Sequence, residues 1–206
     1  MQSWGENAKW DAMRDTATMP TKSGIIGLLA CCFGMRRGDP EIMELSHALK
    51  VSARADRSGE IRIDYHTVQG MPILHTADNG TRPQGQGIVS RRAYLEDASF
   101  LVVLSGDSDT LEKCAQALQN PVWSPYLGRK SCVPTLPVFL QITDDYATVE
   151  DAVREYPPVT RHDEVILAQL WDGSGEYQRN DEPVSFDERR FSARRVRYLS
   201  IRTKEE

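Results

Sequence analysis

Residues 50–68, KVSARADRSGEIRIDYHTV, decide the fold class of this chain. Apolar and polar side chains alternate in KVSARAD (50–56) and again in EIRIDYHTV (60–68), which is the pattern of half-buried β-strands. The residues DRSG (56–59) between them favour a turn. The stretch therefore predicts a β-hairpin whose turn lies at residues 56–59.

Two helices are predicted before this hairpin. SGIIGLLACCFGM (23–35) is apolar on every side, as is typical of a buried helix, and Ser23 can accept a hydrogen bond from its first turn. Gly34 and the following RRGDP (36–40) end that helix. PEIMELSHALK (40–50) predicts a second, shorter helix.

More strands and helices follow the hairpin. In chain order they are a strand in YLEDASFLVVLSG (94–106), an amphipathic helix in DSDTLEKCAQALQNP (107–121), a strand in LPVFLQI (136–142), a helix in TVEDAVREYPP (148–158), a strand in EVILAQLW (164–171), a turn-rich connection in DGSGEYQRNDEP (172–183) and a closing strand in VRYLSI (196–201). Asp109 or Thr110 can cap the amphipathic helix. This order indicates an α+β fold rather than a parallel sheet built from β-α-β units.

Residues 69–89, QGMPILHTADNGTRPQGQGIV, are rich in Gly and Pro and show little periodicity. Structureless connections of this length are uncommon in compact domains, and they are usually functional or disordered. We interpret the segment as an insertion within the fold.

The composition fits one globular domain spanning residues 1–206, with 40% hydrophobic residues, 27% charged residues and a formal net charge of −5. No apolar run is long enough to span a membrane, and the N-terminus lacks the basic and apolar regions of a signal peptide. The four cysteines show no CxxC spacing. We therefore expect them to be reduced and mostly buried, in a cytoplasmic protein.

Basic residues are grouped although the whole chain is acidic. The groups are MRRG (35–38), SRRAY (90–94), LGRKS (127–131) and DERRFSARRVRYLSIR (187–202). Because local phosphate contacts govern nucleic-acid affinity, separate basic patches suit a subunit that holds RNA on one face and protein partners on others. The alternative is ordinary surface charge, and for residues 187–202 a solvated edge strand.

Motifs of the common catalytic and cofactor sites are absent from the sequence. It has no GxxxxGK[ST], GxGxxG, HExxH or GxSxG pattern, and its histidines and cysteines lack metal-ligand spacing. We therefore predict no cofactor and no metal site.

DYHT (64–67) places Tyr65 and His66 side by side. With Lys130 steadying a phosphate, they could act as general acid and base on an RNA 2′-hydroxyl, as in a metal-independent ribonuclease. Adjacent strand residues point to opposite faces, however, which favours the alternative that one packs and the other bonds to or stacks on a base.

Other residues carry weaker signals for RNA. Arg91 and Arg92 are adjacent on a predicted strand, so one can meet a phosphate while the other pairs with a carboxylate. Gln2, Trp4 and Trp10 supply stacking surfaces near the N-terminus, with buried core indoles as the alternative. PYLGRKSC (125–132) is either a rigid turn that offers cations and a ring to an anionic ligand or a solvated loop.

Several of these motifs together resemble one protein family. They are, in chain order, MQSWG (1–5), PTKSGIIGLLACCFGMRRGD (20–39), DYHTVQG (64–70), RRAYLEDASF (91–100), PYLGRKSC with the later LPVF (125–139), and RNDEP (179–183). They resemble the type I-E branch of the fifth Cas protein family, within the RAMP superfamily of CRISPR proteins, and they extend over nearly the whole chain.

The resemblance implies a ferredoxin-like (RRM-like) RAMP palm with a protruding β-hairpin thumb, to which the insertion at 69–89 corresponds. Family members carry an apolar strand before the MQSWG motif, whereas this sequence begins with the motif. We therefore expect the first palm strand to be missing from this chain, and we hypothesise that the start codon is set too late.

The resemblance also implies a non-catalytic subunit of Cascade, the RNA-guided surveillance complex of antiviral defence. Such subunits grip the 5′ handle of crRNA, cap the backbone filament, and contact the adjacent backbone subunit and the large subunit that reads the PAM. They meet target DNA only indirectly. The related type I-C protein cuts precursor crRNA, so an endoribonuclease that uses Tyr65, His66 and Lys130 is the alternative.

The same resemblance assigns roles within PYLGRKSC. Arg129 and Lys130 are expected to face RNA phosphates, Gly128 to permit a close backbone approach, and Tyr126 either to face RNA or to pack and hold the loop. The expected RNA-binding residues are Gln2, Trp4, Lys22, Ser23, His66, Arg91, Arg92, Tyr126, Gly128, Arg129 and Lys130.

Overall fold

A computed structural model describes residues 1–6, 13–69, 73–75, 80–83, 87–159, 165–171 and 175–202. The helices are α1 (Lys22–Phe33), α2 (Glu41–Ala48), α3 (Ser108–Gln119) and α4 (Val149–Glu155). The strands are β1 (Met13–Arg14), β2 (Lys50–Arg57), β3 (Glu60–Val68), β4 (Ile73–His75), β5 (Thr81–Pro83), β6 (Ile88–Glu96), β7 (Ser99–Ser105), β8 (Val165–Trp171), β9 (Tyr177–Ser185) and β10 (Arg190–Arg202). The predicted α+β class and all four predicted helices are confirmed.

The stretch 50–68 forms one arm of a long, bent ribbon rather than a hairpin of its own. β2 pairs antiparallel with β7, and β3 pairs antiparallel with β6, from Lys50 opposite Ser105 to Val68 opposite Ile88. The predicted turn at 56–59 is instead the bend between the two halves. A Cβ on Gly59, whose φ is 72°, would lie 2.3 Å from the Glu96 carbonyl oxygen, so the bend requires glycine.

The main sheet has five strands in the order β7-β2-β8-β10-β9, and every neighbouring pair is antiparallel. α1 and α2 cover one face, where Ile26, Leu29 and Val51 belong to the largest core cluster. α4 covers the other face through Val153, which packs with Ala168 of β8. The second sheet, in the order β1-β6-β3, continues the ribbon beyond the bend.

The N-caps of α1 and α3 differ from the predicted ones by two or three residues. Thr21 rather than Ser23 caps α1, because the Thr21 hydroxyl accepts from the Gly24 N–H at 3.1 Å. Asp107 rather than Asp109 or Thr110 caps α3, accepting from the Thr110 N–H at 2.9 Å. In both helices the capping residue is extended and lies just outside the first turn.

Three strand predictions need correction. The predicted strand at 94–106 breaks at Asp97, which has a φ of 54°, so that it belongs to both β6 and β7. The segment 172–183, predicted as a turn-rich connection, contains the start of β9. The polar residues of β9 misled the prediction because Arg179 and Asp181 are buried and hydrogen-bonded in the interior rather than solvated.

LPVFLQI (136–142), the third case, is irregular rather than a strand. Leu136, Leu140 and Ile142 expose 63%, 57% and 50% of their surface. No described strand pairs with the outer edge of β7, which is the last strand of the main sheet on that side. A strand needs a neighbour for its backbone groups, and this segment has none among the described residues.

The insertion at 69–89 lies at the far end of the ribbon. Its described part includes β4 and β5, which pair with each other antiparallel, whereas 70–72, 76–79 and 84–86 lie outside the described residues. All four cysteines are buried free thiols, as predicted. No helix in the described part of the chain is long and apolar enough to cross a membrane.

Candidate nucleic-acid interface

The PYLGRKSC loop is fixed by its own backbone and by the N-terminal segment. Leu127 and Cys132 are joined by a backbone hydrogen bond of 2.8 Å, and the Ser3 N–H donates to the Leu127 carbonyl at 3.0 Å. Gly128 has a φ of 85°, and a Cβ there would lie 1.7 Å from the Ser3 carbonyl oxygen. The close approach expected at Gly128 is therefore an approach to Ser3, not one made to fit RNA.

Arg129 binds the protein's own backbone. Its guanidinium donates to the carbonyl of Ala93 at 2.9 Å and to those of Arg14 and Asp15 at 3.3 and 3.2 Å. It also lies 4.6 Å from the centre of the Tyr94 ring. Arg129 thus holds β1 and β6 against the loop. Guanidinium N–H groups of Arg129 that were expected to face phosphates donate to these three carbonyls instead.

The charges of three other arginines nevertheless act on Arg14 of the ribbon. Arg14 and Arg92 are neighbours in the β1–β6 pairing, and Asp64 of β3 lies opposite Arg92. Burial lowers the pKa of Arg14, and the charges of Arg92, Arg189 and Arg129 lower it further. We call these four residues the arginine cluster. Like charges held this close create a positive potential that attracts an anion.

A cleft of about 460 Å³ opens beside the arginine cluster. It is lined by Met1, Arg62, Ile63, Asp64, His66, Arg92, Tyr94, Glu96 and Ser131. His66 Nε2 lies 2.5 Å from Asp64 Oδ2, and Arg92 Nε donates to Ser90 Oγ over 3.4 Å. The cleft therefore offers a cation together with hydroxyl, carboxylate and imidazole groups, which suits the phosphate and polar edges of a nucleotide.

Other predicted residues of the loop and of β6 point elsewhere. Lys130 is exposed, and its charge acts on Cys31 of α1, where it partly offsets the rise in the pKa of that thiol caused by burial. Tyr126 is half-buried in the loop. Arg91 pairs with Tyr65 across the ribbon and faces the side opposite Arg92, as the alternation of strand residues predicts.

Gln2 and Trp4 lie in the interior and are not available for stacking on bases. Trp4 is 3% exposed, and its indole N–H donates to Gln2 Oε1 at 2.9 Å. Gln2 Nε2 in turn donates to the Ala98 carbonyl at 2.9 Å. The interpretation of Trp4 as a core indole is therefore the one that holds, while Trp10 lies outside the described residues.

Lys22 also serves the interior of the protein, and the half-buried Ser23 donates its hydroxyl to Thr21 Oγ1 at 3.4 Å. The Lys22 ammonium is 2.7 Å from Glu182 Oε1, with a side chain only 5% exposed, and the Lys22 N–H donates to Asp181 Oδ2 at 2.8 Å. Asp181 is itself paired with Arg194. The PTKSG and RNDEP motifs thus meet in one buried ionic network, and Lys22 does not reach a surface where RNA could bind.

Two of the three residues of the ribonuclease alternative face opposite sides of the ribbon. Tyr65 and His66 are adjacent on β3, and His66 is beside Asp64. A general acid and a general base must lie around one reacting phosphate, and Tyr65 and His66 do not face a common one in this arrangement.

Two members of the arginine cluster, Arg14 and Arg189, were not predicted. Arg14 stands in a polar stretch without periodicity, and Arg189 belongs to the turn between β9 and β10. The basic group at 187–202 was a signal for Arg189, but its proximity to Arg14 depends on the three-dimensional fold.

Comparison with known proteins agrees with the resemblance seen in the motifs. The family model described as "CRISPR-associated protein (Cas_Cas5)" matches residues 1–197. The CRISPR system Cascade subunit CasD of Escherichia coli (strain K12) is 34% identical over 171 residues, which are 77% of this chain and 74% of that protein.

Two solved structures are similar over nearly the whole chain. A chain of a "CRISPR RNA-guided surveillance complex" superposes with a TM-score of 0.78 at 32% identity, covering 98% of this chain and 86% of that one. A second, titled "Crystal structure of Cas protein", superposes with a TM-score of 0.76 at 34% identity, covering 98% of this chain and 90% of that one. The chain therefore belongs to the Cas5 family of CRISPR-associated proteins, as its motifs predicted.

Proposed function

We propose that this chain is a non-catalytic, cytoplasmic subunit of a Cascade-type surveillance complex that binds the 5′ handle of crRNA and caps the backbone filament. Membership of the Cas5 family and the 34% sequence identity to the Cascade subunit CasD of Escherichia coli support this role. The observation that carries the RNA-binding part is the pairing of Arg14 with Arg92 across β1 and β6, with the Arg129 guanidinium bonded to both strands and the charge of Arg189 acting on Arg14.

Arg14 and Arg92 are the members of the arginine cluster that we assign to phosphate. They are direct neighbours across β1 and β6, so one phosphate could meet both guanidinium groups and relieve the repulsion between them. Arg129 adds positive charge while it holds the two strands together. His66 and Ser131 line the adjacent cleft, where they could meet a base or a ribose hydroxyl.

Substitution of the phosphate-binding arginines tests this proposal. Arg14→Gln and Arg92→Gln should each weaken binding of a repeat-derived 5′-handle RNA. The slope of log affinity against log salt is negative, and each variant should reduce its magnitude by about 0.7, which is the effect of losing one phosphate contact to a single strand. Arg37→Gln, at an exposed position between α1 and α2, is the matched control. Unchanged affinity and slope in both test variants would reject the assignment.

The absence of catalysis is part of the same proposal. The separation of Tyr65 from His66 across β3 supports it. Incubation of the purified chain with repeat RNA in EDTA should leave the RNA intact. Specific cleavage that is lost in His66→Ala would favour the endoribonuclease instead.

We assign the main sheet to a ferredoxin-like palm. All of its neighbouring strands are antiparallel, with α1 and α2 on one face and α4 on the other, which is consistent with this assignment. The outer edge of β7 has no partner strand among the described residues, so it is open to a further strand.

We assign the end of the ribbon, residues 69–89, to the thumb of the palm. The pairing of β4 with β5 beyond β3 and β6 is consistent with a protruding hairpin. The protein partners in this proposal are the adjacent backbone subunit and the large subunit that reads the PAM, and target DNA is met only indirectly.

A further inference from the structure

The ribbon face opposite the arginine cluster carries a row of exposed apolar side chains. Ile61, Ile63 and Tyr65 occupy alternate positions on β3 and expose 50%, 57% and 62% of their surface. Met13 and Val89, each 45% exposed, continue the row on β1 and β6. We call these five residues the apolar face. Ile63, at the free edge of β3, also borders the cleft.

One cation, Arg91, lies within the apolar face. Arg91 is the neighbour of Met13 in β1 and of Tyr65 in β3, and none of the described residues forms an ion pair with it. Asp64 of β3 and Glu96 of β6 lie on the other face, where they line the cleft. Exposed apolar side chains around a cation are complementary to a protein surface with apolar side chains and a carboxylate.

We propose that the apolar face docks a protein subunit of the surveillance complex, with Tyr65 as its anchor and Arg91 paired with a carboxylate of that subunit. This inference rests on the proposed function. RNA is a poorer match, because nucleic acid calls for several cations and the arginine cluster lies on the other side. A second copy is a poorer match as well, because a two-fold contact centred on Arg91 would set two arginines against each other.

The alternation of strand residues therefore divides the DYHT motif between two ligands. His66 and Asp64 border the cleft beside the arginine cluster, whereas Tyr65 points to the opposite side. A tyrosine with a large exposed ring and few rotatable bonds is a frequent hot spot in protein interfaces. The same strand can thus fix the RNA and the neighbouring subunit relative to each other.

The experiment uses the full-length tagged chain, coexpressed with the other protein subunits of its own complex and a repeat-containing guide RNA. Subunit recovery is measured by pull-down, and the affinity of the isolated chain for 5′-handle RNA is measured separately. Tyr65→Ala and Ile61→Ser should lower subunit recovery by about tenfold or more and change RNA affinity by less than about twofold. Arg91→Glu should lower recovery similarly, whereas Arg91→Lys should retain most of it.

Val184→Ser, at a 43% exposed position on β9, is the matched control, and melting curves verify that every variant is folded. Full recovery in Tyr65→Ala and Ile61→Ser would overturn the inference, as would an equal loss of RNA affinity. Self-association of the wild type that Tyr65→Ala abolishes would overturn it in favour of a second copy. A wild-type chain that recovers neither RNA nor subunits would instead reject the proposed function, and this inference with it.

Discussion

The backbone of Gly128 approaches that of Ser3 too closely for any side chain to fit between them. Its positive φ of 85° adds strain for every other residue. We expect Gly128→Ala to destabilise the protein by about 2 kcal/mol or more, which lowers Tm by at least about 4 °C in a domain of this size. Gly38→Ala is the control, because a Cβ there meets no atom within 4 Å. Equal melting temperatures for the two variants would contradict this account of the loop.

Arg54 is a buried cation that fastens α4 to the main sheet. It is 1% exposed, pairs with Asp56 at 2.6 Å, and donates to the carbonyls of Val153 and Tyr156 at 2.7 Å. Arg54→Ala removes the ion pair with the buried Asp56 carboxylate together with both hydrogen bonds to α4, so a loss of about 3–5 kcal/mol in unfolding free energy is expected.

Urea titration measures the unfolding free energy of Arg54→Ala. The control is Arg62→Ala, since the Arg62 side chain is 64% exposed, and its unfolding free energy should change by about 0.5 kcal/mol or less. Adding Asp56→Asn to Arg54→Ala removes the buried charge and should recover part of the stability. A double variant no more stable than the single one would show that the lost hydrogen bonds, not the charge, dominate.

The residue types in these motifs were predicted more successfully than their partners. A positive-φ glycine in PYLGRKSC and a core indole at Trp4 could both be inferred from residue chemistry alone. The partners could not, since Lys22 meets Glu182 across 160 residues of chain. A lysine in a motif has the same appearance in sequence whether its ammonium binds phosphate or closes a buried ion pair.

At the scale of elements, α4 is tied to the sheet by an ion pair as well as by its apolar side. Glu150 in its first turn accepts from Arg197 of β10 at 2.7 Å and from Arg154 of α4 at 2.7 Å. These hydrogen bonds, from Arg197 first and Arg154 second, hold the pKa of Glu150 below its usual value of 4.5. The carboxylate is therefore more acidic in the folded state than in the unfolded state.

This shift makes a specific contribution to the pH dependence of stability. Because the folded pKa is depressed, the contribution is fully present above about pH 4.5 and is lost as the pH falls through the folded pKa. Glu150→Gln should cost about 1 kcal/mol or less at pH 6 and should lose less stability than the wild type between pH 6 and pH 3. Urea midpoints at both pH values measure this, with Glu155→Gln on the same helix as the control. Parallel pH profiles for wild type and Glu150→Gln would refute the assignment.

Elements were predicted well where periodicity reflects burial and poorly where it does not. All four helices and the strands β8 and β10 follow from their patterns. β9 was missed because its inward positions carry the charged residues Arg179 and Asp181 instead of apolar ones. Arg179 Nε lies 3.9 Å from Asp181 Oδ2, and Asp181 also accepts a hydrogen bond from Arg194. The turn-forming residues at 56–59 were recognised. They form a bend in a ribbon rather than a hairpin turn because β2 pairs with β7 and β3 pairs with β6, and those pairings are not visible in the local sequence.

The whole molecule is a two-faced sheet with a ribbon that leaves it at the bend near Gly59. The main sheet and its helices bury most of the motif residues, and the ribbon brings Arg92 to the loop that holds Arg129. Arg14 reaches the same face only because β1 pairs with β6. The proposed RNA-binding site is distributed over four distant segments and could not be found from local patterns, whereas a family resemblance can indicate that such a site exists.

The open edge of β7 gives the last prediction, which concerns the stability of the whole fold. SFLVVLS (99–105) is an apolar strand with one neighbour, and 136–142 is an apolar segment with none among the described residues. A fused segment of about six alternating apolar and polar residues, joined before Met1 by a short turn, should pair antiparallel with β7. Tm should rise, and the amides of β7 that face its outer edge should exchange more slowly, because the added strand supplies hydrogen-bond acceptors to them and covers apolar surface. The control is the same segment with two central prolines, which cannot complete the ladder. An equal gain in both fusions, or unchanged amide exchange in β7, would mean that the outer edge of β7 does not accept an added strand.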